Sequence, residues 1–308
     1  MRLGGFVIHS SNAFTLRRCL DSLAAVCDDL VAVDTGSTDG SARLAAGRGF
    51  RVLHRKWEGY GAARAEAVAA LGDCDWILFL DSDEWLEPEA LEAIRRFKSN
   101  PPDAPCVEVT RHDWAELDGR RFLYRSEHHV RLVRRDHARW DRSMIVHEAL
   151  PPARTVSIGA SVEHLFATSI DGMRSKVDRY ALLWALRHYR EGRRAKWPPA
   201  QWVAHLFREL VLKGALMCAR PEAWRLAVTI SGYHARKYQL LREVADGRHD
   251  RLLKLLETGR LVELFEALPG APSVGREALE PRYEPAAPEA DEALEPRYEA
   301  SAGAFEGK

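Results

Sequence analysis

The sequence predicts an α/β fold: a mainly parallel sheet, an antiparallel subsheet beside it and a helical extension toward the C-terminal end. Three observations carry this. The first hundred residues alternate short apolar runs with segments of helical period. The middle, from about Cys106 to Leu165, holds short extended pieces among dense aromatic, His and Arg residues. From Ile170 onward, apolar residues recur at helical spacing. Repeated β-α order implies parallel strands joined by right-handed crossovers.

In chain order, Phe6 to His9 reads as a strand, and Leu16, Cys19, Leu20 and Leu23 as a helix. Leu30 to Val33 is a second strand, closed by Asp34-Thr35-Gly36-Ser37-Thr38-Asp39-Gly40 and followed by a helix through Ala42, Leu44 and Ala45. Arg51 to His54 is a short third strand, Ala62 to Leu71 an Ala-rich helix, and Trp76 to Leu80 a fourth strand before a helix at Pro88. Cys106 to Thr110, Val130 to Val133 and Val156 to Ile158 are the extended pieces of the subsheet. Met173, Val177, Tyr180, Ala181 and Trp184 share one helical face. Pro198-Pro199 breaks that run, and two more helices are expected near Ala200 to Met217 and Pro221 to Glu243. In the tail, Glu277 to Glu284 reappears at Glu292 to Glu299, a Pro- and Glu-rich composition that cannot bury enough apolar surface to order itself. The expected divisions are 1–168 (the α/β domain), 169–246 (the helical extension) and 247–308 (a mostly disordered tail).

The 308 residues suffice for one large domain or two smaller ones. Lys plus Arg equals Asp plus Glu at 45 each, so global charge predicts no nucleic-acid partner. Five cysteines without a C-x-x-C pair do not resemble a disulfide framework, and a reducing, cytoplasmic compartment is expected. The apolar start at Met1 is too short for a signal peptide, and no uninterrupted apolar segment reaches the length of a membrane span.

The chemistry concentrates where the run Trp76-Ile77-Leu78-Phe79-Leu80 ends in Asp81-Ser82-Asp83. A buried strand would carry both carboxylates to the carboxyl edge of the sheet, where ligands of open α/β sheets bind. Two hard oxygen ligands there suit Mg²⁺ or Mn²⁺ with a diphosphate. On its own, the pair equally fits a turn before the helix at Pro88. The loop at Asp34 to Gly40 offers Gly36 for tight geometry and Thr38 or Asp39 as a helix cap, and by itself it is an ordinary β-α turn.

Taken together, Asn12 after the first strand, Val33-Asp34-Thr35-Gly36-Ser37-Thr38-Asp39-Gly40 after the second, Gly59-Tyr60-Gly61-Ala62-Ala63-Arg64 and Phe79-Leu80-Asp81-Ser82-Asp83-Glu84 follow an order and spacing that resembles the family 2 glycosyltransferases, whose fold is GT-A, a Rossmann-like, mainly parallel architecture. Later segments, Val130 to Arg135, Val146-His147-Glu148, Glu163-His164 and Lys176 with Tyr180, look like the branch containing lipopolysaccharide core β-glucosyltransferases. The resemblance covers roughly residues 3 to 240. It departs from the family pattern at Ala13 (Glu in many relatives), Ala65 (usually Asn) and Thr35 (often Asp).

The resemblance implies a metal-dependent inverting hexosyltransferase. The donor would be a nucleotide sugar, most simply a UDP-sugar, and the acceptor a glycan or lipid-linked molecule in lipopolysaccharide or other cell-envelope polysaccharide synthesis. Asp34 matches a position that helps hold the base or ribose, with Asn12 beside the donor. Arg64 matches the arginine of the family's Ala-Arg-Asn stretch, and Asp81 and Asp83 match the D-x-D motif. Arg131, Arg134 and Lys176 are candidates for phosphate contact, and His164 or His147 for a further metal ligand. A general base must take the acceptor hydroxyl proton. Glu148 is the first candidate, with Asp113 and Glu116 as rivals.

Arg187, Arg190, Arg193, Arg194 and Lys196 precede Trp197 and Trp202, and Phe207, Leu210, Val211 and Leu212 follow. Basic residues beside interfacial tryptophans suit peripheral contact with an anionic membrane at its inner face. Three readings compete with the transferase. A haloacid-dehalogenase-type phosphatase shares D-x-D but has Thr or Val where this chain has Trp85. A nucleotidyltransferase needs a Gly-rich, Lys-containing loop where His9-Ser10-Ser11-Asn12 stands. A non-catalytic nucleotide-sugar-binding protein draws on Ala13 and Ala65. Oligomeric state is not legible.

Overall fold

The structure, a computed structural model, describes residues 1–268 except residues 144, 146–149, 214 and 216–219 and the side chains of residues 175 and 176. The N-terminal elements are β1 (Leu3–His9), α1 (Ala13–Ala24), β2 (Asp29–Asp34), α2 (Ser41–Ala46), β3 (Arg51–His54), α3 (Tyr60–Ala70), β4 (Trp76–Asp81), β5 (Glu84–Trp85) and α4 (Pro88–Ser99). The long strands β6 (Cys106–Leu117), β7 (Arg120–Arg134) and β8 (Thr155–Ala167) follow. The helices are α5 (Ile170–Arg190), α6 (Pro198–Phe207), which runs on as a π-helical turn at Arg208–Leu212, α7 (Pro221–Ala245), α8 (Asp250–Glu257) and α9 (Leu261–Glu266).

Among the described residues the strands form one sheet in the order β3-β2-β1-β4-β7-β6-β8-β5. β3, β2, β1 and β4 are parallel to one another, as the β-α alternation predicts. β7 joins β4 and β6 antiparallel, but β8 runs parallel to β6, so the subsheet is mixed rather than antiparallel. β8 adds on the side of β6 away from β7, and no short-range pattern encodes that placement.

The apolar run at Trp76–Leu80 is buried because helices cover both faces of the sheet there. Strand alternation splits it. Trp76, Leu78 and Leu80 join Leu16, Leu20 and Leu23 of α1 and Ile94 and Phe97 of α4. Ile77 and Phe79 join Ala63 and Ala67 of α3 and Leu71 just after it, together with Trp140. By the same period of two, Asp81 falls on the α3 side.

The helical extension has cores of its own. Trp184 and Leu186 of α5 pack with Leu240, Leu241 and Val244 of α7 and with Leu255, Leu256, Leu264 and Phe265. This corrects the expected start of the tail at 247: residues 250–266 include α8 and α9, whose leucines recur on one buried face. Phe265 also meets the ring of Trp57, 5.6 Å between centroids. Residues from 269 onward, including the repeated unit, lie outside the described residues.

Candidate functional site

The carboxyl ends of β2, β1 and β4 lie side by side, with Asp34 level with His9 and Asp81 level with Ile8. Asp34 therefore sits beyond one edge of β1 and Asp81 beyond the other. Gly36 holds a φ of 103° just after β2, a backbone position that favours glycine and turns the loop back over the strand ends. The backbone N–H of Ser37 and the ring of His54 meet the two oxygens of Asp34, each at 2.9 Å. Burial raises the Asp34 carboxyl, but these bonds outweigh it and hold it below its ordinary value.

Asn12 occupies the N-cap position of α1 without capping it, its side chain donating instead to Ser82 Oγ. Asp39 compensates by accepting from the Ala13 N–H at 2.9 Å. Asn12 thus ties the first loop to the Asp81-Ser82-Asp83 turn. Asn12 Oδ1, Ser37 Oγ and both ring nitrogens of His9 are buried with no hydrogen-bond partner within the protein, although His9 Nδ1 lies 3.8 Å from Asp34 Oδ1. Four polar atoms without partners, gathered at the carboxyl edge of parallel strands, are what a polar ligand would satisfy.

Asp81 is gripped from two sides. Arg64 of α3 donates to Oδ1 at 3.1 Å and Arg131 of β7 to Oδ2 at 3.0 Å. Both guanidinium groups also lie against the Phe79 ring, at 5.0 and 5.5 Å from its centroid. Burial would raise the Asp81 carboxyl, but Arg131 and then Arg64 outweigh it and hold it at about 2. Arg131 is 6% exposed and also donates to both oxygens of Glu84, which is itself fully buried. A remaining Nη1–H goes to the Val130 carbonyl. This Arg131 positions Asp81 and has little left for a phosphate. Arg134 does not reach the site: it pairs with Trp76 at the opposite end of β4 and binds Asp136 at the surface.

Asp83 leads to a second cluster. Its Oδ2 lies 3.5 Å from His164 Nε2, and the side chain keeps 37% of its exposure. His164 is level with Glu84 across β5·β8 and with Asp113 across β6·β8, and its Nδ1 lies 2.7 Å from Asp113 Oδ1. Burial would lower the imidazole, but the bonds to Asp113 and Asp83 raise it to about 9. Its Nδ1 faces Asp113 and its Nε2 faces Asp83, so His164 bridges the two carboxylates and stands beside the Asp83 side chain.

Asp113 also accepts from Arg111 at 2.8 Å and Arg125 at 2.5 Å, and is fully buried. Burial would raise its carboxyl, but His164 and then Arg111 and Arg125 hold it far below the usual range. A carboxylate saturated by three cations has neither the exposure nor the proton affinity of a general base, so Asp113 is corrected to a positioning residue for His164. Its rival Glu116 is exposed at the far end of β6, level with Arg121. His147 and Glu148 lie outside the described residues, and Lys176 lies in α5 with its side chain outside them. Glu84, Arg111 and Arg125 escaped the sequence reading. Glu84 alone left a signal, as a third carboxylate three residues past Asp81.

Among the described residues no three His, Cys, Asp or Glu side chains converge as a metal cage. Asp83 nevertheless has an open carboxylate face, which suits Mg²⁺ or Mn²⁺ bound through one or two protein carboxylates plus substrate phosphates. A larger hollow of about 600 Å³, beside Glu92, Arg96 and Phe97 of α4, contains none of these residues.

Residues 8–148 match the model of glycosyl transferase family 2. A lipopolysaccharide core biosynthesis glycosyltransferase, LpsC, of Rhizobium meliloti is 28% identical over 222 residues, which are 67% of this chain and 81% of that protein. A TPR repeat-containing protein of Synechococcus elongatus is 33% identical over 151 residues, 47% of this chain and 37% of its own. Among solved structures, glucosyl-3-phosphoglycerate synthase of Mycobacterium tuberculosis in complex with Mn²⁺ and UDP-glucose aligns with a TM-score of 0.29 and 20% identity, covering 37% of this chain and 43% of that one. The chain spans less than half the length of the latter two proteins.

Proposed function

We propose that this chain, whose residues 8–148 match the model of glycosyl transferase family 2, moves a hexose from a nucleotide sugar, most simply a UDP-sugar, to a glycan or lipid-linked acceptor of the cell envelope, with inversion and with a divalent cation. The observation that carries this is the meeting of Asp34, Asn12, Ser82, Asp81 and Asp83 at one sheet edge, with the partnerless atoms of His9, Asn12 and Ser37 beside them. The base and ribose enter between the Asp34 loop and Asn12, and the diphosphate lies toward Asp83. Asp83 would hold Mg²⁺ or Mn²⁺ together with the diphosphate. Such a cation offsets charge growing on the departing nucleoside diphosphate. Arg64 and Arg131 fix Asp81 in its ionised form at the rim, and the charge of His164 beside Asp83 balances part of the acidic cluster. Glu148 takes the proton from the acceptor hydroxyl as it attacks the anomeric carbon. The test is transfer by Glu148→Gln, which should bind UDP like the wild type and transfer at most about 1% as fast; undiminished transfer removes Glu148 from the role.

The acceptor side favours a membrane. No helix among the described residues is long and apolar enough to cross one. Yet α6 buries no residue, and Trp197, Val203, Phe207 and Leu212 are 64%, 59%, 57% and 72% exposed. Arg190, Arg193, Arg194 and Lys196 are exposed just before them. An apolar helix face flanked by cations fits the headgroup boundary of an anionic leaflet at the cytoplasmic side, where the enzyme would meet a lipid-linked acceptor.

A further inference from the structure

On the acceptor side of Asp113, the distal parts of β7 and β8 and helices α5 and α7 enclose a cavity of about 330 Å³. Phe166, Met173, Val177 and Ile230 give it an apolar wall, and Arg125 and Arg208 supply cations. Arg125 links the cavity to the donor edge through the chain Arg125–Asp113–His164–Asp83, with separations of 2.5, 2.7 and 3.5 Å. A group in the cavity is therefore joined to Asp83 through three side chains, Arg125, Asp113 and His164.

Arg208 has donor capacity to spare. Its Nη2 donates to Glu209 Oε1 at 3.1 Å and to His234 Nε2 at 3.4 Å, and the side chain keeps 39% of its exposure. Glu209 pairs with Arg208 while also accepting from Tyr124 at 3.0 Å and lying 3.7 Å from Lys213, so its one negative charge is shared between two cations. His234 accepts as a neutral ring, pushed down to about 2 by burial and then by Lys237, and it stacks on His205 at 3.4 Å. Behind the wall, Lys237 is 8% exposed, with its ammonium 4.5 Å from the Tyr233 ring and 5.1 Å from Trp184. Among the described residues it pairs with no carboxylate. A cavity with an apolar wall and two arginines on its lining suits an anion attached to an apolar body.

We propose that this cavity binds the acceptor through a phosphate group carried on an apolar chain: Arg208 takes the phosphate, with Arg125 beside it, and Phe166, Met173, Val177 and Ile230 take the chain. The planar guanidinium matches phosphate oxygens. The acceptor class is thus a phosphorylated amphiphile rather than a soluble sugar phosphate. The inference rests on the transferase reading only in naming this molecule the acceptor.

Calorimetry on the full chain with octyl phosphate, octyl glucoside and glucose 6-phosphate tests it, with UDP and Mn²⁺ titrated in parallel. Octyl phosphate should bind about tenfold or more tightly than either comparison ligand. Arg208→Met should weaken octyl phosphate about tenfold or more and leave UDP unchanged. If that variant fails to fold, the wild type carries the test: an alkyl phosphate with a terminal diazirine should label peptides around Met173 and Ile230, and octyl phosphate but not UDP should compete. Equal affinity for the three probes, octyl phosphate binding indifferent to Arg208→Met, or labelling displaced by UDP overturns the assignment. Failure of the donor reading shows separately, as absence of UDP binding while octyl phosphate still binds.

Discussion

Arg131 spends its donors on Asp81 and Glu84, and that arrangement keeps Asp81 ionised at the partly exposed end of β4. Removing one partner from such a buried network leaves an uncompensated charge. Glu84→Leu should therefore cost about 3–5 kcal/mol of stability in urea unfolding, because Arg131 would stay buried without its main acceptor. A loss below about 1 kcal/mol would mean that Arg131 escapes to solvent. Lys237 gives the pH prediction. Burial lowers its ammonium from 10.5 to about 8. Between those values the unfolded chain binds more protons than the folded one, so stability should rise as pH increases from about 8 toward 10.5. The gain is at most roughly 3 kcal/mol, and Lys237→Met should abolish this rise in denaturant titrations from pH 7 to 10. At this scale the sequence exposed Asp81 and Asp83, because a strand ending in carboxylates is a local pattern. It hid the Glu84–His164–Asp113 cluster, which depends on strand register between segments far apart in the chain.

Among the elements, those with a local period were legible and those set by long-range pairing were not. Alternation along Trp76–Leu80 separates the two cores, and α1 and α3 show their buried faces at helical spacing. Leu78 is fully buried between α1 and α4, so Leu78→Ala should cost about 2–5 kcal/mol by urea unfolding. The parallel placement of β8 against β6 was not legible, since no periodic signal encodes it. α8 and α9 were absorbed into an expected tail, although Leu255, Leu256, Leu264 and Phe265 anchor them. α6 makes the element-level prediction. Phe207→Ser combined with Leu212→Ser removes two exposed apolar side chains and should reduce flotation with anionic liposomes several-fold without lowering stability. Equal flotation of the double variant and the wild type would detach this face from the membrane.

For the whole molecule, the proposed donor edge and the proposed acceptor cavity draw on one sheet. Its parallel half ends in the loops proposed for the donor, and its long strands β6, β7 and β8 bring Arg125 and Phe166 to the cavity under the helices. His164 and Asp113 join the two regions. The most direct measurement is calorimetric titration of UDP into the wild type and into Asp83→Asn, each with Mn²⁺ and with chelator. The account predicts binding by the wild type that requires Mn²⁺ and weakens about a hundredfold or more in Asp83→Asn. UDP affinity that is the same with chelator, or the same in Asp83→Asn, would contradict it.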